Sequence, residues 1–236
     1  MSDGAADPGR RGALRHGVVL LHGISRTSRS FRKMQAAIEG CGFATLNLGY
    51  ASRRKALEQL AEDIHPAIEG FAAGIEGSIH FVGHSMGGLL ARAYLGKYRP
   101  KRLGRVVMLG TPNGGSEIAD RLKNVKAYRA WFGPAGQQLI TQRDAALDAI
   151  LPPVDYPVGI IAGNRSIYPI SSALLPKPHD GRVSVENTRL IGMVDHVVIG
   201  VSHPSLLRNA LAVEQTIAFL REGRFTPSVV VTRAGG

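Results

Sequence analysis

The chain has 236 residues, enough for one α/β domain around a single core. Hydrophobic residues make up 44% of it, and no apolar run reaches the ~20 residues of a membrane span, which excludes a disordered tail and a membrane bundle. The net charge is +11, but the basic residues sit in short groups such as Arg53/Arg54/Lys55 with no nucleic-acid motif beside them. They read as a solvated surface and not as a nucleic-acid site, with weak attraction to an anionic membrane surface as a secondary reading.

Taken in order, residues 1–16 are polar, rich in Gly and Arg, and lack the apolar stretch of a secretory signal. They read as a flexible N-terminal tail on a cytoplasmic protein. An apolar run at 18–21 predicts the first strand and leads into His22-Gly23. A helix is expected at 30–39. The single cysteine, Cys41, then falls in a Gly-flanked turn, where it has no disulfide partner and no neighbouring base. A second strand is predicted at 44–48, a helix at 55–71, a third strand at 79–82, and a helix at 88–98. A fourth strand at 106–109 opens into Gly110-Thr111-Pro112. Fifth and sixth strands are predicted at 158–162 and 196–199, and a last helix at 204–220.

Near-continuous apolar runs suit strands covered on both faces, and their alternation with helices predicts a doubly wound α/β sandwich. The expectation is a mainly parallel sheet of about six strands with helices on both faces. No internal repeat or low-complexity linker divides it, so residues 1–236 read as a single domain. The rhythm breaks between the fourth and fifth strands, where two helical segments, 117–132 and 137–150, replace one crossover. Ile118, Leu122, Val125, Trp131 and Phe132 recur there at near-helical spacing. Two readings stand: a core-facing crossover helix, or a small cap over a substrate cleft at 117–157, with Trp131 and Phe132 as its apolar lining.

The chemistry is concentrated after the third strand, in Gly83-His84-Ser85-Met86-Gly87 followed by a helix-forming run. G-x-S-x-G between strand and helix is the sequence form of a tight turn that exposes a serine. The glycines let backbone segments approach where a Cβ would clash, and the helix start supplies free N–H groups and a positive dipole end. A serine hydroxyl needs a base, a group that orients the base, and donors for the oxyanion. In open α/β sheets such groups lie beyond the strand C-termini. Of the eight histidines, only His203 follows the last strand, in Ser202-His203-Pro204; His16 lies in the tail, His65 in a helix, His80 in a strand, and His196 at the start of the sixth strand. Asp180, on an Asp-Gly turn past the fifth strand, is the expected acid. Asp195 and Asp155 precede strands and should lie at the far edge. The oxyanion donors expected are the backbone N–H groups of Met86 and of Ile24, after the first strand. His22 reads equally well as a residue holding that loop.

These segments together, Val18-Val19-Leu20-Leu21-His22-Gly23, Gly83-His84-Ser85-Met86-Gly87-Gly88, Gly110-Thr111-Pro112-Asn113-Gly114-Gly115, Asp180-Gly181-Arg182-Val183 and Ser202-His203, resemble the α/β-hydrolase superfamily, in particular its small bacterial lipase-like members. The resemblance runs over about 18–220. It implies Ser85 as nucleophile, Asp180 as acid, His203 as base, and Ile24 and Met86 as oxyanion donors. The implied activity is carboxylic-ester hydrolysis, on a small-molecule or lipid ester, through an acyl-enzyme and without a cofactor. Thioesterase, amidase or acyltransferase chemistry uses the same residues, and an idle hydrolase fold serving as a binding module is the reading from another class. Two departures stand out. The chain before the first strand is too short for the superfamily's two leading strands, so a sheet trimmed to six is expected. A His-Pro follows the last strand. No metal-ligand cluster is evident.

Overall fold

The computed structural model describes residues 14–122, 124–142, 144–169, 174–227 and 232–233. Six parallel strands occupy the expected places: β1 Gly17–Leu21, β2 Ala44–Leu48, β3 Ile79–His84, β4 Leu103–Leu109, β5 Val158–Gly163 and β6 Asp195–Ile199. The order across the sheet is β2-β1-β3-β4-β5-β6-β7, where β7 is Thr232–Arg233. The seventh strand departs from the six expected. It pairs antiparallel with β6 over two residues, and a two-residue strand carries no periodicity to read.

Alternation along each strand sorts side chains onto two faces. Val19 and Leu21 of β1, Phe81 of β3, and Val106 and Met108 of β4 face one side. There they pack on α2 (Leu57–Ala73) and α3 (Met86–Lys97), through residues such as Leu60, Ile64, Ile68, Leu89 and Leu90. Val18, Leu20, Val82, Val107 and Leu109 face the other side, against Phe31, Met34 and Ile38 around α1 (Arg32–Gly40) and Phe219 of the last helix. Both faces are thus covered over the middle of the sheet, which is why its strands read as near-continuous apolar runs there.

Three expectations at element ends are corrected. The helix expected over 117–132 divides into α4 (Glu117–Leu122) and α5 (Lys126–Gln137), and α5 itself kinks at Gly133, whose φ is +62. The helix expected over 137–150 shrinks to α6 (Ala145–Ile150), because Asp144 caps it by accepting the Leu147 N–H at 2.8 Å. The final helix is α8 (Ala210–Glu222), capped by Asn209, with a 3₁₀ turn at His203–Leu207 before it and a short α7 (Val185–Thr188) before β6. The expected tail ends earlier than residue 16. Arg15 and His16 accept backbone bonds from Gly77 and Ala44 through their carbonyls, and the His16 ring accepts the Ser78 N–H at 3.0 Å. Residues 1–13 of that tail lie outside the described residues. Among the described residues, no helix is long and apolar enough to cross a membrane.

The chain runs from β1 out to β2 and then back across to β3. This reversal opens a crevice at the C-terminal ends of β1 and β3.

Candidate active site

Ser85 is the one residue between β3 and α3, at φ 55 and ψ −126. A non-glycine residue held at positive φ costs on the order of 1–3 kcal/mol and persists only where its surroundings over-determine it. Here the Ser85 N–H donates to the Leu109 carbonyl at 2.8 Å, and the Ser85 carbonyl accepts the Gly88 N–H at 3.0 Å. The glycines around it are spatial necessities. A Cβ on Gly87 would overlap the carbonyl oxygen of Leu21, and one on Gly88 would overlap the Thr111 hydroxyl. The tight strand–turn–helix thus leans on β1 and on the loop after β4.

The structure brings His203 and Asp180 together. His203 Nδ1 lies 2.6 Å from Asp180 Oδ2, and the carboxylate is fully buried. The other oxygen, Oδ1, accepts the N–H groups of Arg182 and Val183, each at 2.9 Å. With both carboxylate oxygens engaged as acceptors, the proton of the neutral imidazole belongs on Nδ1, which leaves Nε2 as a base. The His203 backbone N–H also donates to the Asp180 carbonyl at 3.0 Å, so the two loops are laced by main chain as well as side chain. Asp195 is elsewhere: its Oδ2 accepts the Phe225 N–H at 3.0 Å. Asp155 pairs with Arg99 on the surface.

Sequence reasoning passed over three contributors. Gly110, at φ +56, stands where a Cβ would lie 3.0 Å from Asp180 Oδ2 and 3.1 Å from His203 Nδ1; a Cβ on Gly163 would lie 2.9 Å from Asp180 Cβ. Both end an apolar strand, and that position was the available signal for a close approach there. The third is His84. Its Nε2–H donates to the His203 carbonyl at 3.1 Å, and the two rings lie 4.7 Å apart. Burial is the largest cause holding the His84 pKa well below the usual imidazole value, so the ring is neutral. Its proton is then on Nε2, and Nδ1 is a buried acceptor without a hydrogen-bond partner among the described residues.

On the other side of Ser85, the loop after β1 is braced by His22. Its Nδ1–H donates to the Gly23 carbonyl at 2.9 Å, and its ring stacks on Tyr50 at 4.0 Å, with 7° between the planes. The Tyr50 hydroxyl donates to the His22 carbonyl. The histidine is the loop-holding residue. Among the described residues, the N–H groups of Ile24 and Met86 have no backbone or side-chain acceptor, which fits a pair of donors open to a ligand oxygen.

Ser85, His203 and Ile24 line one cleft of about 260 Å³. Its apolar wall includes Ile118, Trp131, Phe132 and Leu139 from the segment after β4. The segment does both things the sequence allowed: Ala119, Ala135, Leu139 and Leu147 pack into the core, while Trp131 is 55% exposed at the cleft, with the Arg53 guanidinium 4.3 Å from its ring centre. A larger groove of about 800 Å³ lies at the opposite end of the sheet, around His16, Phe43, His80 and Arg105. It sits at the strand N-termini, away from the serine turn, and His80 there is engaged as acceptor of the Arg105 N–H.

The fold and this constellation define an α/β hydrolase. Residues 18–149, more than half the chain, match the family model described as alpha/beta hydrolase fold, and the chain belongs to that family. In sequence it is similar to the triacylglycerol lipase of Pseudomonas fragi, with 29% identity over 117 residues. That match covers 46% of this chain and only 39% of the lipase. In structure it is similar to the mature lipase BlEst2 of Bacillus licheniformis, with a TM-score of 0.69 and 20% identity over 92% of this chain and 96% of that one. It is also similar to a structure described for LipS and LipT, two metagenome-derived lipolytic enzymes, at 0.63 and 22%, covering 89% and 94%. The likeness to the phospholipase PlaB of Legionella pneumophila, at 0.60 and 18%, covers 74% of this chain and 44% of that one. The structural likenesses establish the shared fold.

Proposed function

We propose that the protein is a serine hydrolase that cleaves carboxylic esters through an acyl-enzyme. The observation that carries this reading is the buried His203–Asp180 pair, whose histidine lines the same cleft as a serine held on a strained strand–helix turn. In this reading Ser85 Oγ attacks the ester carbonyl carbon while its proton passes to His203 Nε2. The carbonyl π electrons move onto oxygen, where the N–H groups of Ile24 and Met86 receive them. Collapse of the tetrahedral species breaks the bond to the alcohol oxygen, which takes the proton from His203 Nε2–H. Water then repeats the sequence at the acyl carbon, with His203 as base, and the acid leaves. Asp180 keeps the imidazole in the productive tautomer and stabilises the imidazolium.

The apolar wall supports a substrate with a hydrocarbon acyl part, and the lipases among the relatives support the lipid-ester class. A panel of p-nitrophenyl esters from short to long chain tests the reading, together with a fluorophosphonate probe. The expected result is one label at Ser85 and esterase activity that Ser85→Ala abolishes. Undiminished labelling of Ser85→Ala, or no hydrolysis of any ester by a folded wild-type protein, refutes it.

A further inference from the structure

The same cleft carries a charge pattern that an ordinary acyl pocket does not need. Arg26 and Arg182 both line it beside Ser85 and His203. They reach it from opposite sides of the β3 elbow: Arg26 from the loop after β1, two residues past Ile24, and Arg182 from the loop after β5, two residues past Asp180. Neither guanidinium is in an ion pair among the described residues. The carboxylates of the neighbouring cap wall are turned to other work. Glu117 accepts from Ser184 and Asn187, and Asp120 accepts from Thr141. Among the described residues no carboxylate lines the cleft. Arg182 is also held in place. Its guanidinium stacks 4.4 Å from the centre of the Tyr168 ring, and its main chain is pinned by the Asp180 and Ser116 side chains. A guanidinium fixed in this way loses little freedom on meeting an oxyanion, and its planar fork matches phosphate and carboxylate oxygens.

We infer that the ester this cleft takes bears an anionic group, of the phosphate class, on its alcohol portion, received by Arg26 and Arg182 while the acyl chain lies along Ile118, Trp131 and Phe132. The inference rests on the ester-hydrolase reading and adds its substrate class. The cleft thus offers apolar side chains for a hydrocarbon and two guanidinium groups for an anion.

The test uses matched esters with the same acyl bond: glycerol monobutyrate, and monobutyryl-glycerol 3-phosphate. Release of butyrate by the full chain gives kcat/KM for each. The readout is the ratio of phosphate to neutral ester, so each variant carries its own reference. Two partly solvated guanidinium contacts should together raise that ratio about tenfold, a preference that Arg26→Gln/Arg182→Gln removes and that salt screens. Lys101→Gln, which removes one positive charge outside the cleft, should keep the wild-type ratio. A ratio equal in wild type and double variant overturns the inference, as does an equal drop in Lys101→Gln. If the neutral ester is cleaved and the ratio does not move, only the anion is wrong; if neither ester is cleaved, the ester reading falls with it. A soluble phosphate ester and a phospholipid headgroup offer the same anion. Repeating the pair with oleoyl esters separates them: a higher ratio assigns the site to lipids, and an unchanged ratio assigns it to soluble esters.

Discussion

Asp180→Asn replaces one carboxylate oxygen with an NH₂ group and should reverse the tautomer of His203. Asparagine keeps Oδ1 as acceptor for the Arg182 and Val183 N–H groups, so the turn survives. In place of Oδ2 it puts an NH₂ that can only donate, 2.6 Å from His203 Nδ1 in the parent geometry. The imidazole must then accept at Nδ1, and its proton moves to Nε2, the nitrogen required to take the serine proton. The lost base and the lost charge opposite the imidazolium should together lower kcat by about 10⁴-fold, equivalent to about 5.5 kcal/mol of barrier. Stability should change by only about 1 kcal/mol, because every buried polar atom of the side chain keeps a partner. The assay is p-nitrophenyl butyrate turnover beside thermal melting, with ¹⁵N shifts of the imidazole reporting the tautomer. Asp195→Asn is the comparison. Its carboxylate serves the Phe225 N–H, so it should cost about 1 kcal/mol of stability and leave turnover within a few fold. A folded Asp180→Asn protein with turnover within tenfold of wild type would refute the reasoning, and so would an Asp195→Asn loss of equal size.

Gly87→Ala should destabilise the protein by at least about 3 kcal/mol in denaturant titration, since the new methyl meets the Leu21 backbone; Gly40→Ala, with open space around it, should be neutral or slightly stabilising. Burial lowers His80 and His196 each to a pKa of about 4 from 6.5, so the unfolded chain takes up these protons first as the medium is acidified. Stability should be full above about pH 6.5 and fall toward pH 4 by about 3 kcal/mol per histidine, and a flat melting temperature over that window would contradict their burial as neutral rings. Replacing Trp131 and Phe132 together with alanine should lower kcat/KM on long-chain esters more than on acetate, and equal losses would place them in a purely structural role.

The inner strands β1, β3 and β5 were legible because they are buried on both faces and are mainly apolar, whereas the edge strand β2, with Thr45 and Asn47 only partly buried, showed as a β-favouring alternation. β7 was not legible, because its two residues are specified by the edge of β6 rather than by their own pattern. Segment 117–157 was half legible. The apolar residues were visible, but Gly133 at positive φ and the Asp144 cap decide where its helices end, and helical periodicity alone does not register either. At the site, Ser85, Asp180 and His203 stood out because chain order and strand ends predict which loops meet. His84, Gly110 and Gly163 did not, because their importance lies in contacts across the sheet. His84 reaches a carbonyl on the loop after β6, and the two glycines matter for the atoms they leave room for. Arg26 and Arg182 were lost in a +11 background, where a charge gains meaning only from the wall it lies on.

The bond from His84 to the His203 carbonyl has a consequence for how such a molecule can vary. From the elbow the chain travels through β4, the cap, β5 and β6 before it returns with the histidine. One imidazole, next to Ser85 in sequence, closes that circuit at 3.1 Å. The spacing of the two loops is therefore gauged at the closure and not along the path. Within the path, Gly110, Gly163 and Asp180 meet the histidine loop or its acid directly and are not free to change, but none of residues 117–157 takes part in the closing bond. Segment 117–157 is in this sense a cartridge. It supplies part of the cleft wall, while the tie between the serine and histidine loops is made without any of its residues.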